Sequence, residues 1–314
     1  MHLPDHFLSP VVSASAAVVA AGGVTYSLHR ARAAASRERL VLASVTTGFV
    51  FAAQMVNFSV LPGTSGHFMG GALAAALLGP WLGIVVVSAV LTVQALVFAD
   101  GGLSALGANV LLMAVVGVAV ATGLTALVRK VSGHPLPLLA AGLGAALSVP
   151  ASALVFCALY AMGGAVPVTL NELVASMVGV HAFIGLGEAA ITVAVLALVM
   201  ALAPGLAFAD ARAYSPSSLL PGVAGLGAAA VLCGAVLSVA ASSNPDGLES
   251  VAAAYNFADA AGSHAFASAW FADYGAVSGI PVSVVGVVGT VLAALVAAAV
   301  MLPLKRSSSV SPAS

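Results

Sequence analysis

The sequence predicts an all-α fold: a polytopic transmembrane helical bundle of seven spans followed by two more. Three observations carry this reading. Of 314 residues, 61% are hydrophobic and only 6% are charged, against about 25% charged in a soluble domain. Mean hydropathy is +1.15, so the surface must face lipid rather than water. The apolar residues also fall into long runs, and a spanning helix needs about 20 of them. The 33 glycines suit the same class, because membrane helices pack through small residues. With a net charge of -1 and no basic patch, nucleic acid is not an expected partner.

The candidate spans run Val11–Leu28, Leu40–Phe58, Met69–Leu78, Leu82–Phe98, Leu103–Leu127, Leu136–Met162, Val180–Ala203, Leu219–Ala240 and Val282–Leu302. The first has no basic residues before it, unlike a signal peptide, and is read as a retained helix. The third is too short to cross alone and reads as a half-helix, broken from the fourth at Gly79-Pro80. Arg30, Arg32, Arg37, Arg39, Arg129, Lys130, Arg212, Lys305 and Arg306 fall in alternate loops. The positive-inside rule puts these loops in the cytoplasm, the N-terminus outside and the C-terminus inside. The membrane is then the cytoplasmic (inner) membrane of a bacterium or archaeon. A proline-bearing loop around Pro204–Ser218 divides the chain into residues 1–205 and 206–314. Cys157 and Cys233 lie in apolar runs and are expected to be small packing residues, not a disulfide.

Chemistry concentrates on the outer side. A free Met1 amine, the His2 amide nitrogen and His2 Nδ1 can chelate one ion in fused five- and six-membered rings. Such a nitrogen field suits Ni²⁺ or Cu²⁺. A fourth donor is required, and His67 closes an outer turn, Pro62-Gly63-Thr64-Ser65-Gly66-His67. His6 and His181 share that side. Polar residues inside spans are functional candidates. Gln54 and Asn57, three apart, are expected on one face of the second span. Asn109 sits in the fifth. His181 and Glu188, seven apart, share a face of the seventh.

These motifs resemble a family. Met1-His2-Leu3-Pro4-Asp5 with Phe7-Leu8-Ser9-Pro10 is similar to the start of the CbiM/NikM substrate-capture (S) components of energy-coupling-factor transporters. So are Phe51-Ala52-Ala53-Gln54-Met55-Val56-Asn57-Phe58 and Gly63-Thr64-Ser65-Gly66-His67. Asp100-Gly101-Gly102-Leu103, Ala108-Asn109 and Gly187-Glu188-Ala189 continue the resemblance over roughly the first two hundred residues. Between the last two spans, Pro245-Asp246-Gly247-Leu248-Glu249 resembles the CbiN/NikN accessory subunit. The resemblance implies an S-component fused to a two-span region. It implies Met1, His2 and His67 as metal ligands, with Ni²⁺ or Co²⁺ as transported substrate. It also implies partners: a CbiQ/NikQ-like transmembrane coupling (T) subunit and CbiO/NikO-like ATPase subunits. The family usually has Gly where this chain has His6, so His6 is expected either to add a weak ligand at the mouth or to alter the turn after Asp5. Gln54, Asn57, Ser65, Asn109, His181 and Glu188 are expected either to support the ligands from behind or to line the ion's entry. Because Asp246 and Glu249 are hard oxygen donors far along the chain from Met1, their loop is expected to aid loading more than affinity.

The chain has no phosphate-binding loop of its own: neither Lys130 nor Lys305 follows the required glycine pattern. Two other readings use the same residues. Ser65 and His181 would be nucleophile and base in an intramembrane serine protease. Glu188 would carry a proton in an ion-coupled secondary metal transporter.

Overall fold

The computed structural model describes residues 1–305; Arg306 lies outside the described residues. Helix α1 covers Pro10–Ala31 and α2 covers Arg37–Gln54. A hairpin of β1 (Phe58–Leu61) and β2 (Thr64–Gly66) follows. Then come α3 (Gly71–Leu78), α4 (Pro80–Val93), α5 (Leu106–Asn109), α6 (Gly117–Ser132), α7 (Pro137–Gly163) and α8 (Leu170–Leu202). The C-terminal region holds α9 (Leu219–Val231), α10 (Gly247–Ala254) and α11 (Val282–Lys305). Among the described residues, 7 helical stretches are long and apolar enough to cross a membrane, including Pro80–Phe98, Leu106–Ser132 and Pro216–Ala240. The chain is a multi-pass membrane protein.

Helix positions follow from which faces are apolar. In α4 nearly every side chain is buried, and the helix forms the bundle's centre. α1 and α11 instead expose Val11, Val18, Val19 and Val288, Val291, Leu295 outward, as lipid-facing helices do. Small residues set the closest crossings. A Cβ on Gly286 would collide with the Gly234 backbone, so the last two long helices touch main chain to main chain. Cys157 and Cys233 are both free thiols.

The third span is a half-helix. α3 has 8 residues, about 12 Å at the usual rise. It ends at Gly79 with φ 81° and ψ 171°, a conformation that essentially only glycine adopts. Its open carbonyls, at Ala76 and Leu77, accept from Ala209 N and Phe208 N, both at 2.9 Å. The segment after α8 thus completes what the short helix lacks.

Two expectations need correction. α2 stops at Gln54 because Met55 turns the chain into the hairpin, so Asn57 lies outside the helix and shares no helical face with Gln54. The outer loop expected between the second and third spans is a two-stranded antiparallel ladder, with Ser59 opposite Ser65.

The chain alternates between two ends. One gathers residues 1–9, the hairpin, 99–105, 163–169 and 241–281, joined by bonds such as Ser9 N to Gly163 O (2.7 Å) and Ser242 N to Asn57 O (2.8 Å). The opposite end holds the described basic residues. There Arg30 lies over Trp81 and Arg39 over Phe208, at 5.5 and 5.6 Å, and Arg212 pairs with Asp210 at 2.7 Å. Three π-helical turns, Gln94–Phe98, Val110–Val116 and Leu232–Val236, sit towards the first end. Such turns are frequent at functional sites.

Candidate metal site at the amino terminus

Residues 1–9 lie folded into the bundle, fastened at alternate positions. Leu3 is fully buried. Its N–H donates to Asn109 Oδ1 (2.8 Å), and its carbonyl accepts from Asn109 Nδ2 (3.1 Å) and Gly102 N (2.8 Å). Asp5 Oδ1 accepts from Ser104 N and Ser104 Oγ at 2.7 and 2.6 Å. Phe7 O accepts from Ala165 N at 3.1 Å. Ser9 then starts α1 as its N-cap, with Pro10 in the first turn.

This fastening delivers the Met1 amine, buried, into direct contact with His67 Nε2. His67 is set by its own neighbours. Its Nδ1 lies 2.9 Å from Phe68 O, which fixes the hydrogen on Nδ1 and leaves Nε2 with a free lone pair. The next turn is clamped from below. Glu188 accepts from Met69 N (2.6 Å) and Gly70 N (2.9 Å), and Gln54 Nε2 donates to Met69 O (2.8 Å).

The His2 ring stacks on the His67 ring, centroids 4.8 Å apart and planes 12° from parallel. Its Nδ1, the nitrogen a chelate needs, lies 3.4 Å from Asp100 Oδ1, so a metal would take that position from Asp100. Its Nε2 is buried without a partner. Burial pushes the His2 pKa down to about 4, against the opposing pull of Asp100. The ring is therefore neutral at physiological pH, as a ligand must be. Beside the His2 and His67 rings, the amino terminus offers main-chain nitrogen as further donors.

The remaining predicted residues divide. His181 is buried beside the site, its Nδ1 2.7 Å from Met177 O and its Nε2 unpartnered; a Cβ on Gly247 would come 3.1 Å from its ring. Asn57 lines the cavity over the site, about 470 Å³ in volume, with Gln54, Asp100 and Glu249. Ser65 Oγ donates to Asn244 O at 2.7 Å, and Ser65 N to Pro245 O at 2.9 Å. His6 does not line that cavity: it is exposed, against Gly262. Its φ of 72° is the left-handed conformation that glycine adopts without cost.

The Pro245–Glu249 loop is not remote. Asp246 caps α10 in a reciprocal box with Glu249, through bonds of 2.9 and 2.8 Å. Asp246 Oδ2 lies 3.2 Å from the Met1 amine and 3.6 Å from His67 Nε2. Burial would raise the Asp246 pKa, but the amine and His67 outweigh it and hold the carboxyl well below the usual range. Distance along the chain was a poor guide to distance in space. Sequence reasoning gave no role to Asp100 or Tyr274. Tyr274 donates to Asp100 Oδ2 and accepts from Gln94 Nε2 at 3.3 Å. The position of Asp100 in an outer Asp-Gly-Gly turn was a usable signal; Tyr274 carried none.

Residues 2–206 match the family model for the cobalt uptake substrate-specific transmembrane region, and residues 222–306 match the PDGLE domain. A candidate metal transport protein of Haloquadratum walsbyi is 38% identical over 223 residues, 71% of this chain and 99% of the relative. The fused nickel transport protein NikMN of Rhodobacter capsulatus is 33% identical over 250 residues, 74% of this chain and 71% of its own. A solved truncated transition-metal transporter superposes with a TM-score of 0.59 at 26% identity, covering 64% of this chain and 99% of that one.

Proposed function

The chain belongs to the cobalt-uptake (CbiM) family of substrate-specific transmembrane proteins, carries a PDGLE domain and is a membrane subunit for metal transport; from this we propose that it captures Ni²⁺ or Co²⁺ for an ATP-driven importer. Residues 1–205 form the capture unit and residues 206–314 an accessory unit. The observation that carries the proposal is the convergence of the Met1 amine, His2 and His67 Nε2 in one place, with Met1 and His67 buried and His2 half-buried at the cavity. An amine, a main-chain amide and two imidazoles make a nitrogen-only set, which suits Ni²⁺ and Co²⁺ better than Mg²⁺ or Ca²⁺. Met1 is a ligand only where its amine is the free terminus of the mature chain.

The site end faces outward on this reading, because the basic residues at the other end mark the cytoplasmic side. The ion arrives through the cavity, displaces Asp100 from His2 Nδ1 and parts the amine from His67. Glu188 and Asn109 hold the ligand backbone in place meanwhile. Coupling and ATPase subunits, CbiQ/NikQ-like and CbiO/NikO-like, then drive release inward.

The protease reading fares worse. The Ser65 hydroxyl donates to the Asn244 carbonyl, and His181 holds Met177 O, with no bond between them among the described residues. In the secondary-transport reading Glu188 must exchange protons, but both its oxygens accept main-chain N–H bonds.

The test is the metal content of purified chain and of His67→Ala, with melting curves for both. Stoichiometric nickel or cobalt in the parent, and none in a folded variant, is expected. Retention by the variant would reject the site. Uptake that persists without the ATPase subunits would reject the energy source.

A further inference from the structure

We propose that Asp246 is itself a ligand to the transported ion, so that the PDGLE segment closes the coordination shell begun by the amino terminus. This rests on the capture reading above. Asp246 Oδ1 is committed to the α10 cap through Glu249 N at 2.9 Å. Oδ2 makes no capping bond and is aimed at the two nitrogens, 3.2 Å from the amine and 3.6 Å from His67 Nε2. Donors about 2.0–2.1 Å from a first-row ion stand about 2.9 Å apart at right angles and about 4.1 Å apart when opposed. Both separations fall inside that range. No other carboxylate among the described residues comes within 4.0 Å of either nitrogen.

Charge gives an independent reason. A divalent ion held by one deprotonated amide, a neutral amine and two neutral imidazoles keeps a net single positive charge. Met1 and His67 are 4% and 5% exposed, and a buried uncompensated charge is costly. One carboxylate bond cancels it. The carboxylate is also well placed: capping holds the Asp246 backbone, and Ser65 N and Oγ hold the preceding Pro245 and Asn244 carbonyls against the strand that leads to His67. The strand before His67 and the Pro245–Glu249 loop are thus joined by hydrogen bonds.

A fifth donor selects against an ion confined to four coplanar nitrogens and favours one of higher coordination number. Co²⁺ is therefore the informative probe, since its visible absorption changes in position and intensity with coordination number. The experiment is a Co²⁺ titration of full-length chain in detergent for parent, Asp246→Asn and His67→Ala. Asn keeps the helix cap, as an equally good N-cap residue, while removing the anionic oxygen. Should Asp246→Asn fail to fold by its melting curve, Asp246→Ser keeps a capping hydroxyl too short to reach the ion.

Asp246→Asn should still take up Co²⁺, with Kd raised about 10-fold or more and the visible bands shifted and weakened or strengthened. Superimposable spectra would overturn the ligand assignment, whether or not Kd changes. If His67→Ala binds like the parent, or the parent binds nothing, the capture reading itself fails. If His67→Ala loses Co²⁺ and Asp246→Asn is spectrally silent, only the ligand assignment fails.

Discussion

Two stretches of chain meet over His67, and they are held by different means. Residues 1–9 are tied mainly through their own backbone: Leu3, Phe7 and Ser9 engage the bundle by main-chain groups, and only Asp5 adds a side-chain tie, to Ser104. The outer loop of residues 242–281 has a few such bonds, but much of its hold comes from hydroxyls. Thr64 meets Ser250 at 3.0 Å, Ser176 meets Tyr255 at 2.8 Å, and Tyr274 reaches Asp100. A backbone tie survives most substitutions in the tied segment, whereas a hydroxyl tie is lost with one atom. The amino-terminal arm therefore fixes where the donors stand, and the outer loop is the adjustable partner.

The contrast breaks most sharply if the arm is lengthened. One Ala inserted before Met1 moves the amine out of the chelate while every side chain remains. Metal retention should fall at least about 100-fold, as for His2→Ala, because a chelating ligand is worth more than the 10–100-fold of its supports. Metal analysis, with the new terminus confirmed by mass spectrometry, decides it; normal binding removes the amine from the site. Next comes Asn109→Ala, which deletes both bonds to Leu3. Leu3 N–H and C=O are buried, so about 10-fold weaker retention is expected, with faster proteolysis of residues 1–9. Retention unchanged would mean that the arm is held by packing alone.

The outer loop should give smaller, graded effects. Tyr274→Phe removes the hydroxyl on Asp100 but keeps the stack on Phe98, 5.4 Å between centroids. A loss of about threefold to tenfold is expected, corresponding to about 0.5–1.5 kcal/mol for one hydrogen bond. Smallest of all is Ser65→Ala, which keeps the main-chain bond to Pro245. Its metal content should stay stoichiometric and its affinity change by less than about threefold, the low end for one hydrogen bond. A collapse of binding on this scale of change would show that the two stretches are not held differently after all.

The bundle was readable because lipid imposes a length and a composition on each span. The break at Gly79-Pro80 was readable because few residue pairs tolerate a continuous helix so poorly. His67 and the Met1-His2 start were readable from donor chemistry. Asn57 was misplaced because a hydrophobic run does not mark where a helix gives way to a hairpin: Met55, Val56 and Phe58 are apolar in either state. Asp246 was seen as a donor but not as a neighbour of Met1. Its spacing to Glu249 is the capping pattern and announced α10, yet no periodicity reports which loop rests on which. Tyr274 is the extreme case, one aromatic in a long loop whose partner, Asp100, lies 174 positions away.

The half-helix has a mechanical meaning. A rod of about 12 Å is gripped at both ends: at the top Glu188 holds Met69 and Gly70, two and three residues past His67. At the bottom Phe208 and Ala209 latch onto Leu77 and Ala76. A stiff helix transmits displacement along its axis with little loss. The half-helix thus ties the seat of His67 to the segment after α8, so the position of one end of the bundle is set in part by bonds made near the other.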